Sequence, residues 1–125
     1  IGVGVNPAKR GFTAPRERVI LIKKATAHLP GVEVVLLNDA TMDEARRLGA
    51  TLIIKGVRGA QDTDYEASQA AFNLEVGGVD TWWVPTRPEL AHVSSSAVRE
   101  LLILKKDVSR YVPPAVAQYL TENRN

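Results

Sequence analysis

The sequence predicts a single α/β domain over residues 1–125, built on a doubly wound parallel sheet. Three observations carry that prediction. Strand-like and helix-like stretches alternate along the whole chain, the order that yields a parallel sheet covered by helices through right-handed crossovers. The strands read as near-continuous apolar runs, as expected where helices cover both faces. The length of 125 residues is enough for one sizeable core but not for two.

Each element has its own signal. "IGVGV" (1–5) is a short apolar strand closed by "NPAK". Thr13 is placed to cap a helix that carries Val19, Ile22, Thr26 and Leu29 on one face, with Pro30-Gly31 as its stop. "VEVVLL" (32–37) is the second strand. "TMDE" (41–44) has the form of a capping box, followed by Ala45 and Leu48, and Gly49 ends that helix. "TLIIK" (51–55) is a strand rich in β-branched residues. A helix runs from about Asp64 to Leu74 and stops at Gly77-Gly78, and "DTWWV" (80–84) is the fourth strand. The three serines of "VSSSAVRE" (93–100) open a helix through about Leu104, and Pro113-Pro114 starts the last one.

Composition excludes more than it assigns. Apolar residues make up 45% and charged residues 24%, and the net charge is +2, so there is no compositional case for a nucleic-acid or membrane partner. No cysteine is present, which removes disulfides, thiolate metal sites and a cysteine nucleophile and fits a reducing compartment. Apolar runs such as Val34–Leu37 are far too short to span a bilayer, and no basic-then-apolar leader opens the sequence. The expectation is a cytoplasmic domain.

Ligands of open parallel sheets bind beyond the carboxyl ends of the strands. The residues just past those ends, strand by strand, are Asn6, Pro7 and Lys9, then Asp39 and Thr41, then Lys55, Gly56 and Arg58, then Thr86, Arg87 and the serines 94–96. Three of these four strand ends thus deliver the cations Lys9, Lys55, Arg58 and Arg87 to one rim. Cations beside a serine-rich helix start suit an anion with several phosphate oxygens. Taken singly, each feature has a plainer reading: serine capping, solvated loop cations, Gly56 as a turn residue with positive φ, Glu66 as a dipole-stabilising carboxylate, and Trp82 and Trp83 as packing residues on opposite faces of a strand. No Walker loop, G-x-G-x-x-G turn or metal-ligand spacing is present.

Three blocks, "NPAK" (6–9), "IIKGVRGAQDTDYE" (53–66) and "HVSSSAVRE" (92–100), together with "YVP" (111–113), resemble phosphopantetheine adenylyltransferase, a bacterial enzyme of the nucleotidylyltransferase superfamily. The resemblance covers essentially the whole chain. It implies a Rossmann-like fold of nucleotidylyltransferase type and transfer of AMP from ATP to 4′-phosphopantetheine, giving dephospho-coenzyme A and pyrophosphate with Mg²⁺ present. By position it implies that Lys9, Thr41 and Lys55 bind the phosphopantetheine substrate, that Lys9 and Arg58 are catalytic, and that Gly56, Val57, Arg58, Glu66, Leu90, Ala91, His92, Val93, Ser94, Ser95 and Ser96 hold ATP. It also implies a homohexamer, with the Trp82-Trp83 strand as one contributor to its contacts.

The chain departs from the family pattern at its start. The family's first strand, its G-x-F-D-P turn and its H/T-x-G-H turn have no counterpart, since His28 is followed by Leu29 and His92 by Val93. The expectation is a native protein carrying one further βα unit, on the order of 30 residues, and 125 residues that are inactive alone. Leu90 and His92 stand where the family often has aromatics, and the loop after Lys9 is one residue shorter. The competing readings are a non-catalytic nucleotide-binding or assembly module of the same fold, and a nucleotidylyltransferase of nicotinate-mononucleotide or glycerol-phosphate type.

Overall fold

A computed structural model describes residues 1–5 and 13–123, with the side chains of 60–62 left aside. Two compact units form, one from residues 1–36 with 92–125 and the other from residues 37–91. The strand–helix alternation read from the sequence is present, and the fold is α/β. Among the described residues the strands pair as two small sheets, β1 with β2 and β3 with β4.

In the first unit, β1 (Gly2–Gly4) pairs with β2 (Val35–Leu37). The Ile1 nitrogen donates to the Glu33 carbonyl at 2.6 Å, and the Val35 N–H donates to the Ile1 carbonyl at 3.0 Å. Helix α1 spans Pro15–Ala25. The expected Thr13 cap is not used. Ala14 takes the cap position, because Pro15 with its fixed φ and missing N–H suits the first helical residue. The Glu17 carboxylate accepts the Ala14 N–H at 3.2 Å, the bond that the N3 glutamate of a capping box makes. Leu29 falls beyond the helix, since Thr26 forms the C-cap and its hydroxyl donates back to the Ile22 carbonyl at 2.7 Å.

Helix α1 packs on β1 and on the last helix of the chain, and Val3, Leu21, Val34, Val108 and Leu120 are buried. That last helix hydrogen-bonds to α1 through Tyr119, whose hydroxyl is pushed above its ordinary pKa by burial and by the Glu17 carboxylate beside it.

In the second unit, α2 spans Thr41–Arg47 with Ala40 as its cap, so Thr41 is the first helical residue and the expected capping box does not form. Glu44 turns to Arg47 instead at 2.7 Å and is buried there, while Ala45 faces the core beside it. Gly49 ends α2 at φ +69, a conformation that costs a residue with a Cβ about 1–2 kcal/mol. Strand β3 spans Leu52–Val57 and pairs in parallel with β4, Asp80–Pro85, in a register from Leu52 opposite Asp80 to Val57 opposite Pro85.

Helix α3 joins the two strands over Ala60–Gly77, longer at both ends than its sequence signal. Gly59 in an extended conformation lets the helix begin at Ala60, a strong helix former. At the other end Gly77 is still helical. Gly78 alone turns left-handed at φ +66 and donates its N–H to the Leu74 carbonyl at 3.0 Å. Helix α3 packs against α2 and β4, and a short 3-10 turn, Pro88–Leu90, comes after β4.

Candidate active site

Strand β3 forms because "LIIKGV" is β-branched on both faces, and its carboxyl end delivers the polar block. Alternation along the strand places Ile53, Lys55 and Val57 on one face with Trp83, the register partner of Lys55. Ile54 and Gly56 share the opposite face with Trp82 and Val84, their own partners. The Val57 carbonyl accepts the Thr86 N–H at 2.9 Å, so pairing continues to the strand end, and Arg58 stands exposed just beyond it.

Gly56 is not the turn residue that the sequence suggests. It lies inside β3, outside the left-handed region, and a Cβ built on it would meet nothing within 4 Å. The strand continues through this position because Gly56 stays paired, opposite Val84. The space over its backbone is open.

Glu66 also has a different setting from the one expected. A helix beginning at Ala60 puts it well past the first turn, where the helix dipole fades. Its carboxylate instead meets the Lys55 ammonium, with Nζ and Oε2 3.6 Å apart. The Lys55 side chain is 41% exposed and that of Glu66 21%, so both partners remain open to an incoming ligand. Thr41 is exposed at the start of α2. The tryptophans are less enclosed than a packing role requires: Trp82 is 63% exposed, beside Ile54 at 65% and Val84 at 52% on the same face.

On the other unit, the serine cluster divides its work. Ser94 is the N-cap of α4 (Ser95–Ile103), its hydroxyl oxygen accepting the Ala97 N–H at 3.1 Å. The Ser96 hydroxyl accepts from the Arg99 guanidinium at 3.2 Å. Ser95 opens the first turn, exposed. A pocket of about 300 Å³ lies along this helix, walled by His92, Val93, Ser94, Leu101 and Tyr111 among others. His92 meets Tyr111 edge to face, with ring centroids 6.0 Å apart and an interplanar angle of 87°. The sequence marks "YVP" only as a family feature. It holds no local signal for this ring contact, which the chain makes by returning after α4 before α5 (Pro114–Glu122).

Leu90 ends the 3-10 turn and is exposed, and Ala91 caps it. Lys9 lies outside the described residues, as do Asn6, Pro7, Gly11 and Phe12. Among the described residues no three carboxylate or imidazole groups cluster to hold a metal ion. Mg²⁺ needs no such cage when substrate phosphates and water supply most of its ligands. No described helix is long and apolar enough to cross a membrane.

Comparison with known proteins adds whole-chain likeness to this geometry. A scan against protein-family models finds no match. Curated relatives do match. The chain is 38% identical to the phosphopantetheine adenylyltransferase of Streptococcus gordonii, over 96% of this chain and 74% of that protein. It is 38% identical to the enzyme of that name from Streptococcus suis, over 98% and 77%, and 41% identical to one from Streptococcus pneumoniae, over 100% and 76%.

Proposed function

The chain belongs to the phosphopantetheine adenylyltransferase family, and from that premise we propose that it transfers the adenylyl group of ATP to 4′-phosphopantetheine, giving dephospho-coenzyme A and pyrophosphate. The observation that carries the reading is identity of 38–41% running through nearly the whole chain. The placement of Lys55, Gly56 and Arg58 at the carboxyl end of a parallel strand supports it, because that is where open sheets bind ligands.

In this reaction the substrate phosphate attacks the α-phosphorus of ATP in line and pyrophosphate leaves. The protein's task is positioning and neutralising charge, with no covalent intermediate. Lys55 offers a point charge to the phosphate of phosphopantetheine, with Thr41 and Lys9 as further ligands to that substrate. Arg58 offers a planar fork to the triphosphate, and the Glu66 carboxylate accepts a ribose hydroxyl. The open space over Gly56 allows nucleotide to approach the strand backbone there. Ser94–Ser96 and the start of α4 offer hydroxyls and free N–H groups to phosphate oxygens, and His92 and Val93 border the same segment. Mg²⁺ bound together with ATP would supply charge neutralisation to the triphosphate, beside Arg58 and the serine segment.

We place the protein in the cytoplasm and in a homohexamer. The exposed Ile54, Trp82 and Val84 on one face of the β3–β4 pair support a contact between subunits. Calorimetric titration with ATP and with 4′-phosphopantetheine tests the functional reading. Saturable binding of both supports it, and failure of either to bind overturns it.

A further inference from the structure

The Lys55–Glu66 ion pair joins two residues that the proposed function assigns to different substrates, Lys55 to the phosphate of phosphopantetheine and Glu66 to the ribose of ATP. We propose that this pair couples the two binding events: each substrate recruits one partner away from the other, so that whichever binds first leaves the second partner free. The inference rests on the functional reading above and goes beyond it.

The geometry suits an exchangeable contact. Nζ and Oε2 stand 3.6 Å apart, longer than a well-formed charge-assisted hydrogen bond, and neither side chain is fully enclosed. Lys55 is fixed at its base by the β3–β4 ladder opposite Trp83, and Glu66 by the α3 backbone. Only the side-chain ends need to move. A phosphate dianion competes for Lys55 with twice the charge of the carboxylate, and the released Oε2 accepts the ribose hydroxyl without giving up an ion pair. The cost of breaking the pair is met by the first ligand and not again by the second.

The size of the coupling is set by the worth of a partly exposed pair. That is about a two- to fivefold tightening of the second ligand, the equivalent of roughly 0.5–1 kcal/mol. Linkage makes the factor the same whichever substrate is bound first.

The experiment measures binding of 4′-phosphopantetheine to the full chain by calorimetry, with and without saturating α,β-methylene-ATP, whose bridging carbon blocks transfer. The wild-type protein is expected to bind phosphopantetheine about two- to fivefold more tightly with nucleotide present. Glu66→Gln should bring the ratio to one and raise the affinity for phosphopantetheine alone by a similar factor. Raising the salt concentration should move the wild-type ratio toward one with no substitution made, since a partly exposed pair is screened. A wild-type ratio of one, or a ratio that survives Glu66→Gln, overturns the coupling. If the functional reading itself is at fault the failure looks different: neither ligand binds, or Lys55→Met leaves phosphopantetheine affinity unchanged.

Discussion

Ser94→Ala tests whether the serine cluster is structural, ligand-binding or both. Ser94 has the extended backbone of an N-cap, φ −147 and ψ 160, and its oxygen takes the Ala97 N–H at 3.1 Å in a half-buried setting. Removing that acceptor strands one of the orphan donors of the first turn and should cost about 1 kcal/mol, within a range of roughly 0.5–2. For a domain of this size the midpoint of thermal unfolding should fall by about 4 °C. Ser96→Ala is the internal control. Among the described residues its hydroxyl meets only the exposed Arg99 guanidinium, so the change should stay within about 0.5 kcal/mol.

Ser94→Gly separates the two roles, because glycine keeps most of the capping free energy, losing only about a few tenths of a kcal/mol, and removes the hydroxyl. If the serines also hold phosphate, Ser94→Gly should weaken ATP binding several-fold while the melting midpoint barely moves. Urea and thermal unfolding of the three variants, followed by calorimetric titration with ATP, give both answers. Equal stability losses from Ser94→Ala and Ser96→Ala would refute the capping argument. Unchanged ATP affinity in Ser94→Gly would reduce the cluster to a well-capped helix.

Arg58→Ala should weaken ATP binding by about tenfold to a hundredfold, the loss of a charge-assisted contact worth roughly 1.5–3 kcal/mol, while Lys9→Ala should fall on phosphopantetheine instead; titration of each variant with each ligand checks the division. Glu44 is held below its ordinary pKa by its hydrogen bond and charge pairing with Arg47. Its stabilisation is therefore present above the ordinary glutamate pKa and is lost as pH falls through the lowered value. Urea midpoints measured from pH 6 down to pH 3 should drop on that acid limb, and Glu44→Gln should flatten the drop. Gly77→Ala should destabilise although alanine is the better helix former: its Cβ would stand 3.0 Å from the Cβ of Met42, and about 1–3 kcal/mol of overpacking outweighs roughly 0.5–1 kcal/mol of propensity. A variant more stable than wild type by urea unfolding would show that α2 yields freely.

Period and punctuation carried most of the fold. The left-handed stops at Gly49 and Gly78, the proline that opens α5, and the β-branched run of β3 are local facts, and local chemistry decides them. Helix starts were less legible, because a hydroxyl near the first turn can occupy the cap or the first helical position with the same sequence signal. Thr41, at the first helical position, illustrates it, and Thr13 falls one residue further out, before the cap. At each, a neighbouring alanine takes the cap; Glu17 accepts the Ala14 N–H as a capping-box glutamate does, whereas Glu44 turns to Arg47. The His92–Tyr111 contact and the exposure of Trp82 depend on where distant segments lie, which no window of sequence contains.

Glu66 shows how such a boundary bears on function. A helix that began at Asp64 would leave Glu66 in the first turn, where a carboxylate is explained by the dipole and asks for no partner. Beginning at Ala60 removes that explanation and leaves a half-buried carboxylate in a helix interior, where an unpaired charge is unfavourable. The strand beneath supplies the answer. Lys55 lies on the Trp83 face of β3, and its ammonium reaches Glu66 across the strand–helix step. Each residue alone reads as a solvated charge or a phosphate ligand. Held 3.6 Å apart, they form one partly exposed ion pair, which neither residue's local sequence announces.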